Sequence, residues 1–284
     1  MTAARRASLN RLNRADWVWI VLFLAGFGTL VARNYLLGQT EVPVLPLGPL
    51  RLSPFGLLVA LDMLFAYHLA KRWCETFDLE WQRLAPGVVW IALLGLYISH
   101  LVSIAFYFPH DLTDPIALLD ARTRISSFGG FYGGALVAIL YMKRKGLPIW
   151  PTADALVYGF VGGYIFGRMG CFAIHDHPGT ETDFFLGIPM AGVRRHDLGL
   201  YEMFLMLFLL IALHLLARGG RPAAGRAVAL VCTIYMPVRF LFDYLRIDDP
   251  RYAGLTPGQW MAIPLFLVGL WAWGAAARLR AAEG

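Results

Sequence analysis

The chain has 284 residues, of which 58% are hydrophobic and only 15% charged, with a formal charge of +6 and a mean hydropathy of +0.57. Its 19 Phe and 9 Trp accompany several apolar runs that approach the ~20 residues a helix needs to cross ~30 Å of hydrocarbon. These values exclude a soluble globular domain. The chain reads as an all-α polytopic integral membrane protein with about eight transmembrane helices.

In chain order the spans are expected at Trp17 to Tyr35, Pro54 to Ala70, Val88 to Phe108, Phe128 to Met142, Ala153 to Phe172, Leu200 to Leu216, Ala227 to Leu245 and Trp260 to Ala277. The first runs on to Arg33 without a small-x-small cleavage site, so it reads as a retained span and not a removed signal. No repeat or low-complexity tract interrupts the chain, and its three cysteines imply no disulfide framework.

Basic residues give an orientation, because cytoplasmic loops retain Lys and Arg. Arg5, Arg6, Arg11 and Arg14, then Lys71, Arg72 and Arg83, Lys143 to Lys145, Arg218, Arg221 and Arg226, and finally Arg278 and Arg280 fall on one alternate set of segments. That set is expected to be cytoplasmic, with both termini. Every Lys belongs to it. The other basic residues, all Arg, fall on or near the opposite face: Arg33, Arg51, Arg122, Arg124, Arg168, Arg194, Arg195, Arg239, Arg246 and Arg251. A guanidinium grips phosphate in two places, so an outer face furnished only with Arg suggests an anionic ligand. Snorkelling to lipid headgroups is the plain alternative for any one of them.

Three spans carry distinctive texture. The fourth opens "FGGFYGGA", with Gly129, Gly130, Gly133 and Gly134 around Tyr132, a pattern that either packs helices closely or leaves room for a substrate. The fifth has Gly159, Gly163 and Gly167 at four-residue intervals, a smooth stripe for a neighbouring helix. In the seventh, "YMPVRFLFDYLR" spaces Tyr235, Arg239, Asp243 and Arg246 by four, four and three residues, which predicts one helical face. Charged groups so close to hydrocarbon are functional candidates. The fifth span closes on "GRMGCFAIHDHPG", bringing Arg168 to the depth expected for Arg239 and Arg246, so that three guanidiniums suit a phosphate.

That segment resembles the signature of the prolipoprotein diacylglyceryl transferases, Gly-Arg-x-Gly-Asn-Phe-x-Asn-x-Glu-x-x-Gly. Gly167, Arg168, Gly170, Phe172 and Gly179 match it; Cys171 and Ile174 replace its two Asn, and Asp176 its Glu. "DPIALLDARTRISSFGGFYGGALVA" is similar to the family's segment ending in His-Gly-Gly or Tyr-Gly-Gly. "RHDLGLYE" is similar to its His-Pro-x-Gln-Leu-Tyr-Glu, with Asp197 for Pro and Gly199 for Gln. "VLPLGPLRLSPFGLLVALDMLFAYHLAKR" looks like its opening helix, and "RFLFDYLR" with "LTPGQW" resembles its late Arg-rich helix and Gln-Trp segment. The resemblance runs from about Val44 to the C-terminus. It implies a seven-helix transferase domain over residues 44–284, preceded over 1–43 by a basic N-terminus and one extra helix.

The resemblance implies an enzyme of the bacterial inner membrane that moves the diacylglyceryl group of phosphatidylglycerol to the lipobox Cys thiol of a preprolipoprotein. The products are a thioether and glycerol phosphate. No cofactor, metal or nucleic acid is expected, and oligomeric state does not follow. The reaction needs the departing phosphate's charge held and a weakly acidic thiol deprotonated. Arg168 and Arg239 are expected to clamp the phosphoglycerol, with Arg246, held by Asp243, completing the pocket. Asp176, Gly133, Gly134, Gly170, Tyr235 and Glu202 complete the expected substrate-binding set. Tyr132 is expected to position the reacting groups, and one of His175, His177 and His196 to take the proton.

Three other readings of these residues stand beside it. A metal site of His175, Asp176 and His177 with His196 as third ligand lacks a completing motif of fixed spacing. Cys171 with His175 resembles a thiol nucleophile and its base. A non-catalytic relative that binds or transports anionic lipid is the other functional class, though no internal symmetry of the transporter kind is present.

Overall fold

A computed structural model describes residues 12–38, 45–47, 50–121, 124–190, 192–218 and 220–283. Arg5, Arg6, Arg11 and Arg122 and the expected boundary at 43/44 lie outside the described residues. Helices occur at all eight expected places: α1 (Arg14–Val31, continued by a wide turn Ala32–Leu36), α2 (Pro54–Thr76), α3 (Trp81–Tyr107), α5 (Ser127–Lys145), α6 (Ile149–Ile174), α7 (Leu198–Arg218), α8 (Arg226–Phe242) and α9 (Pro257–Glu283). A short helix α4 (Pro115–Leu119) lies between α3 and α5. Among the described residues, six helices are long and apolar enough to cross a membrane. In α5, four glycines and the terminal Lys143, Arg144 and Lys145 dilute the apolar residues. The protein is a mostly helical, polytopic membrane protein.

Strands, which were not expected, also occur. β1 (Leu45–Leu47) and β2 (Leu50–Leu52) form a hairpin before α2. β3 (Pro178–Glu181), β4 (Ile188–Met190) and β5 (Val193–Asp197) form an antiparallel sheet of order β3-β5-β4 between α6 and α7. They are too short to show a clear period of two in the sequence.

The chain divides into two compact units, one of Met1–Phe77, Leu156–Pro222 and Tyr244–Ile247, the other of Asp78–Ala155, Ala223–Asp243 and Asp248–Gly284. In the first, Asn13 caps α1 reciprocally with Asp16, at 3.0 and 2.7 Å. Asp16 also receives Arg72 and, at 3.1 Å, His68 from α2. The stripe on α6 meets α2 as its spacing predicts. A Cβ on Gly163 would collide with Asp62 and Ala66, and one on Gly167 with the Asp62 carboxylate at 2.6 Å. These glycines therefore seat an acidic side chain as well as a helix. Trp19, Phe65 and Phe166 pack nearby, tilted or edge-on, with ring centroids 4.8 to 5.8 Å apart.

In the second unit, the glycines of α5 meet α3. A Cβ on Gly129 would lie 2.8 Å from Ser99 Cα, and one on Gly133 2.6 Å from Ile98 Cβ. Gly134 faces Gly95 across the same crossing, since a Cβ on Gly95 would lie 3.2 Å from Gly134 Cα. Close packing is thus the use the fold makes of Gly133 and Gly134. Arg83 donates to the carbonyl of Lys145, and Tyr141 donates to that of Arg83 at 2.8 Å. Asp154 accepts from the first amides of α8, those of Gly225, Ala227 and Val228, at 2.7 to 3.1 Å.

Candidate active site

In the first unit the site grows from the last turn of α6. Arg168 is 2% exposed, and its guanidinium is enclosed by groups from two helices. Nε lies 3.1 Å from Glu202 of α7, which is itself fully buried. Nη2 donates to Tyr164, whose ring lies 4.6 Å from the guanidinium carbon, and Nη1 lies 3.5 Å from Cys171 Sγ. Two successive helical turns of α6 supply Tyr164, Arg168 and Cys171, and the start of α7 supplies the counter-charge. Glu202 is thus brought to Arg168 as a charge partner.

Past Ile174 the helix is stopped by His175 in a left-handed conformation, with φ of 51°. A β-carbon there costs energy, and the fold holds it by tying the ring to Asp197, Nδ1 to Oδ2, at 2.6 Å. The second oxygen of Asp197 accepts from Leu200 N at 3.0 Å, so one buried carboxylate caps α7 and anchors the end of α6. Burial pushes the Asp197 pKa up, against the pull of His175.

Asp176 follows, within electrostatic reach of both Arg168 and Arg246. The protein crowding its carboxyl raises its pKa to about 6, against the pull of Arg168. His177 Nε2 stands 3.6 Å from Asp176 Oδ2. His196 pairs instead with Tyr201, Nδ1 to Oη at 2.7 Å, and desolvation lowers its pKa. The three histidines therefore serve three different partners. Gly170 packs against Phe55 and Leu58 of α2.

Arg246 corrects one expectation. The helix α8 ends at Phe242 and tightens into a 3-10 turn over Asp243–Leu245, so Arg246 does not continue the face of Tyr235 and Arg239. Its backbone instead pairs with Gly179 of β3. The spacing of three that placed it on a helical face fails because the last helical turn ends at Leu245, and Arg246 already lies in the non-helical backbone that bridges to Gly179.

In the second unit Arg239 is also 2% exposed. It pairs with Asp243 four residues on and lies 5.5 Å from the Phe128 ring centre. Thr256 donates to the other Asp243 oxygen at 2.8 Å, and a Cβ on Gly258 would strike that same oxygen. Tyr235 is buried with its ring edge-on to Phe131 at 5.8 Å. Tyr132 donates to Met261 O at 2.9 Å and lines an apolar cavity of about 520 Å³ with Phe106, Tyr252, Trp260 and Pro264 among others.

Two carboxylates escaped the sequence reading. Asp62 faces Arg168 from α2, and its signal was a lone acid inside the apolar run Pro54 to Ala70. In the sequence Asp197 stands only as a departure from the His-Pro-x-Gln pattern. Conversely, Arg194 and Arg195 turn out to serve the small sheet: Arg194 donates to the carbonyls of Phe185 and Gly187, and Arg195 to that of Gly179.

The model of the prolipoprotein diacylglyceryl transferase family matches residues 43–275. The chain belongs to this family. It is 31% identical over 260 residues to the phosphatidylglycerol–prolipoprotein diacylglyceryl transferase of Photobacterium profundum, covering 86% of this chain and 97% of that protein. Proteins of the same name from Bordetella bronchiseptica (28% over 250 residues, 81% of this chain and 93% of that one) and Solidesulfovibrio magneticus (27% over 250 residues, 82% and 93%) are also similar. The matched region begins after α1. Departures from two of the diacylglyceryl transferase segments meet here: a Cβ on Gly199, in the second, would lie 3.0 Å from Cys171 Cβ and 2.8 Å from Phe172 N, in the first. The position where the family carries Gln has no room for a side chain here.

Proposed function

We propose that this protein transfers the diacylglyceryl group of phosphatidylglycerol to the lipobox cysteine of preprolipoproteins, releasing glycerol phosphate. The observation that carries the reading is Arg168. It is a guanidinium 2% exposed at the end of a 26-residue apolar helix, balanced by Glu202 and set with Asp176 and Arg246. A fixed cation at such depth favours an anionic headgroup over water and stabilises charge that grows on a departing phosphate.

Arg168, Arg246 and, in its own unit, Arg239 are assigned to the phosphoglycerol. Glu202 and Asp243 hold two of these guanidiniums in orientation. Tyr235 and Tyr132 are assigned to the lipid side, the latter beside an apolar cavity suited to acyl carbon. Among the histidines, His175 is the best oriented proton acceptor, because Asp197 fixes one ring nitrogen and the other, Nε2, is buried without a hydrogen-bond partner among the described residues.

We place the protein in the bacterial inner membrane with both termini cytoplasmic and the Arg168 site toward the outer leaflet. Residues 1–43 are then an addition to the family's core. Supporting this, the basic residues assigned to the cytoplasmic side take local partners at helix ends, Arg72 with Asp16 in the first unit and Arg83 with the Lys145 carbonyl in the second, while in the first unit Arg168, Asp176 and Arg246 gather at the C-terminal end of α6.

Complementation tests the proposal. Expressed in a bacterium depleted of its own transferase, the chain is expected to restore the diacylglyceryl mass increment on a lipoprotein. No increment from a protein that is present and membrane-inserted overturns the reading.

A further inference from the structure

We propose that the C-terminal end of α1, through Arg33 and Asn34, binds the phosphate of an anionic phospholipid headgroup and so gathers phosphatidylglycerol beside the transfer site. The gathering half rests on the transferase reading. The binding half does not, because both residues precede the region that the family model matches, 43–275.

The last turn of α1 is not α-helical. Over Ala32–Leu36 its hydrogen bonds widen to five residues, closed by Leu37 N on Ala32 O at 3.0 Å. Such turns are rare inside helices and collect at functional sites. Asn34 lies in this one, 1% exposed, and its side-chain amide makes no hydrogen bond among the described residues, with Nδ2 fully enclosed. A buried amide in that state costs free energy until a ligand completes it. Arg33 beside it is half-buried and has no hydrogen-bond or ion-pair partner among the described residues. Snorkelling would account for the arginine alone and leaves the amide unexplained.

The other polar groups around the turn are committed. Tyr35 donates to Leu186 O at 2.7 Å and lies within electrostatic reach of Asp197, Tyr201 and Arg194. Arg194 donates to the carbonyls of Phe185 and Gly187, and Asp197 is held by His175 and by Leu200 N. What remains is one cation and one amide, both donors, and the ligand they fit is an oxyanion. The carboxylate within reach of Tyr35 is already bonded to His175, so a headgroup that carries an ammonium gains little there and an anionic one is favoured. Leu36 and Leu37 follow directly, 78% and 65% exposed, and offer apolar surface to hydrocarbon joined to that oxyanion.

The course of α1 brings this turn to the transfer site. A Cβ on Gly26 would lie 3.3 Å from Met169 Cε, the residue after Arg168. Gly26, the buried Leu30 and Asn34 recur every four residues, one face of α1. Two turns beyond Gly26, about 12 Å along the axis, Tyr35 meets the connection between β3 and β4 at Leu186. A lipid held here stands beside the helix that carries Arg168.

The test uses the full-length protein in nonionic micelles and counts, by native mass spectrometry, the lipids retained from an equal mixture of phosphatidylglycerol and phosphatidylcholine. The wild type is expected to retain two phosphatidylglycerol molecules, and Arg33→Gln/Asn34→Leu one. Equal retention of both lipids by the wild type, or an unchanged count in a folded double variant, overturns the site. Should the double variant fail to fold, Arg33→Gln alone carries the test: about tenfold weaker retention is expected, and unchanged retention overturns the site. Inorganic phosphate should displace neither lipid; loss of the variant-sensitive one would assign the site to free phosphate and overturn the lipid. In the transfer assay, with phosphatidylglycerol diluted in the micelle, the double variant should raise KM by about five- to tenfold and lower kcat by less than about twofold. An unchanged KM overturns gathering. Lipid counting needs no transfer, so a failed complementation with the variant-sensitive lipid still present refutes the transferase and leaves the site standing.

Discussion

Arg168 and Arg239 are equally buried yet held in opposite ways. Arg239 takes its carboxylate from Asp243 on the following turn of its own helix, reinforced by Thr256. Arg168 takes its from Glu202, on another helix and across the whole β3–β5 insertion. The first pair is assembled when α8 forms; the second exists only once α6 and α7 have packed. A buried charge can therefore be balanced by local periodicity or by tertiary packing, and only the first is visible as spacing along the chain.

The largest expected effects test whether both guanidiniums act on phosphate. Arg168→Lys and Arg239→Lys keep the charge and lose the fork, and each should lower diacylglyceryl transfer by about 10²- to 10³-fold in a membrane assay with fluorescent peptide. If only one variant loses activity, the two sites are not functional equals. Next, Glu202→Ala and Asp243→Ala should each destabilise the protein by about 3 to 5 kcal/mol, read as thermal unfolding in micelles, because each strands a buried cation. An unchanged melting point in Glu202→Ala would show that Arg168 is neutralised by other groups.

Smaller effects separate glycines that are filled from those that are not. Gly163→Ala forces the Asp62 carboxylate and α2 aside and should cost about 1 to 3 kcal/mol in the same melting experiment. Gly130→Ala, whose Cβ would find Ser99 Cβ at 3.8 Å, should be neutral or slightly stabilising. Asp197→Ala removes a helix cap and the tether on His175, for an expected loss of about 1 to 2 kcal/mol. Tyr132→Phe gives up one hydrogen bond to Met261, for an expected loss of about 1 kcal/mol.

The chain by itself determined the solvent and most of the scaffold. Long apolar runs have one stable form in lipid, the helix, because every backbone amide must be satisfied within the segment. Glycine spacing of four likewise announced that α6 would meet a neighbour at close range. Arg168, Arg239 and Asp243 were legible because charge inside an apolar run is costly and so stands out.

What the tertiary structure alone decided is which groups meet. Arg246 left its expected helical face because a 3-10 turn ended α8, and no spacing rule contains that turn. Asp197 and His175, and the trio Cys171, Asp176 and His177, come together through a left-handed residue and a three-stranded sheet too short to leave a periodic trace. Hydrophobic periodicity is a property of neighbours along one element, whereas a site is made by elements whose sequence separation carries no such signal.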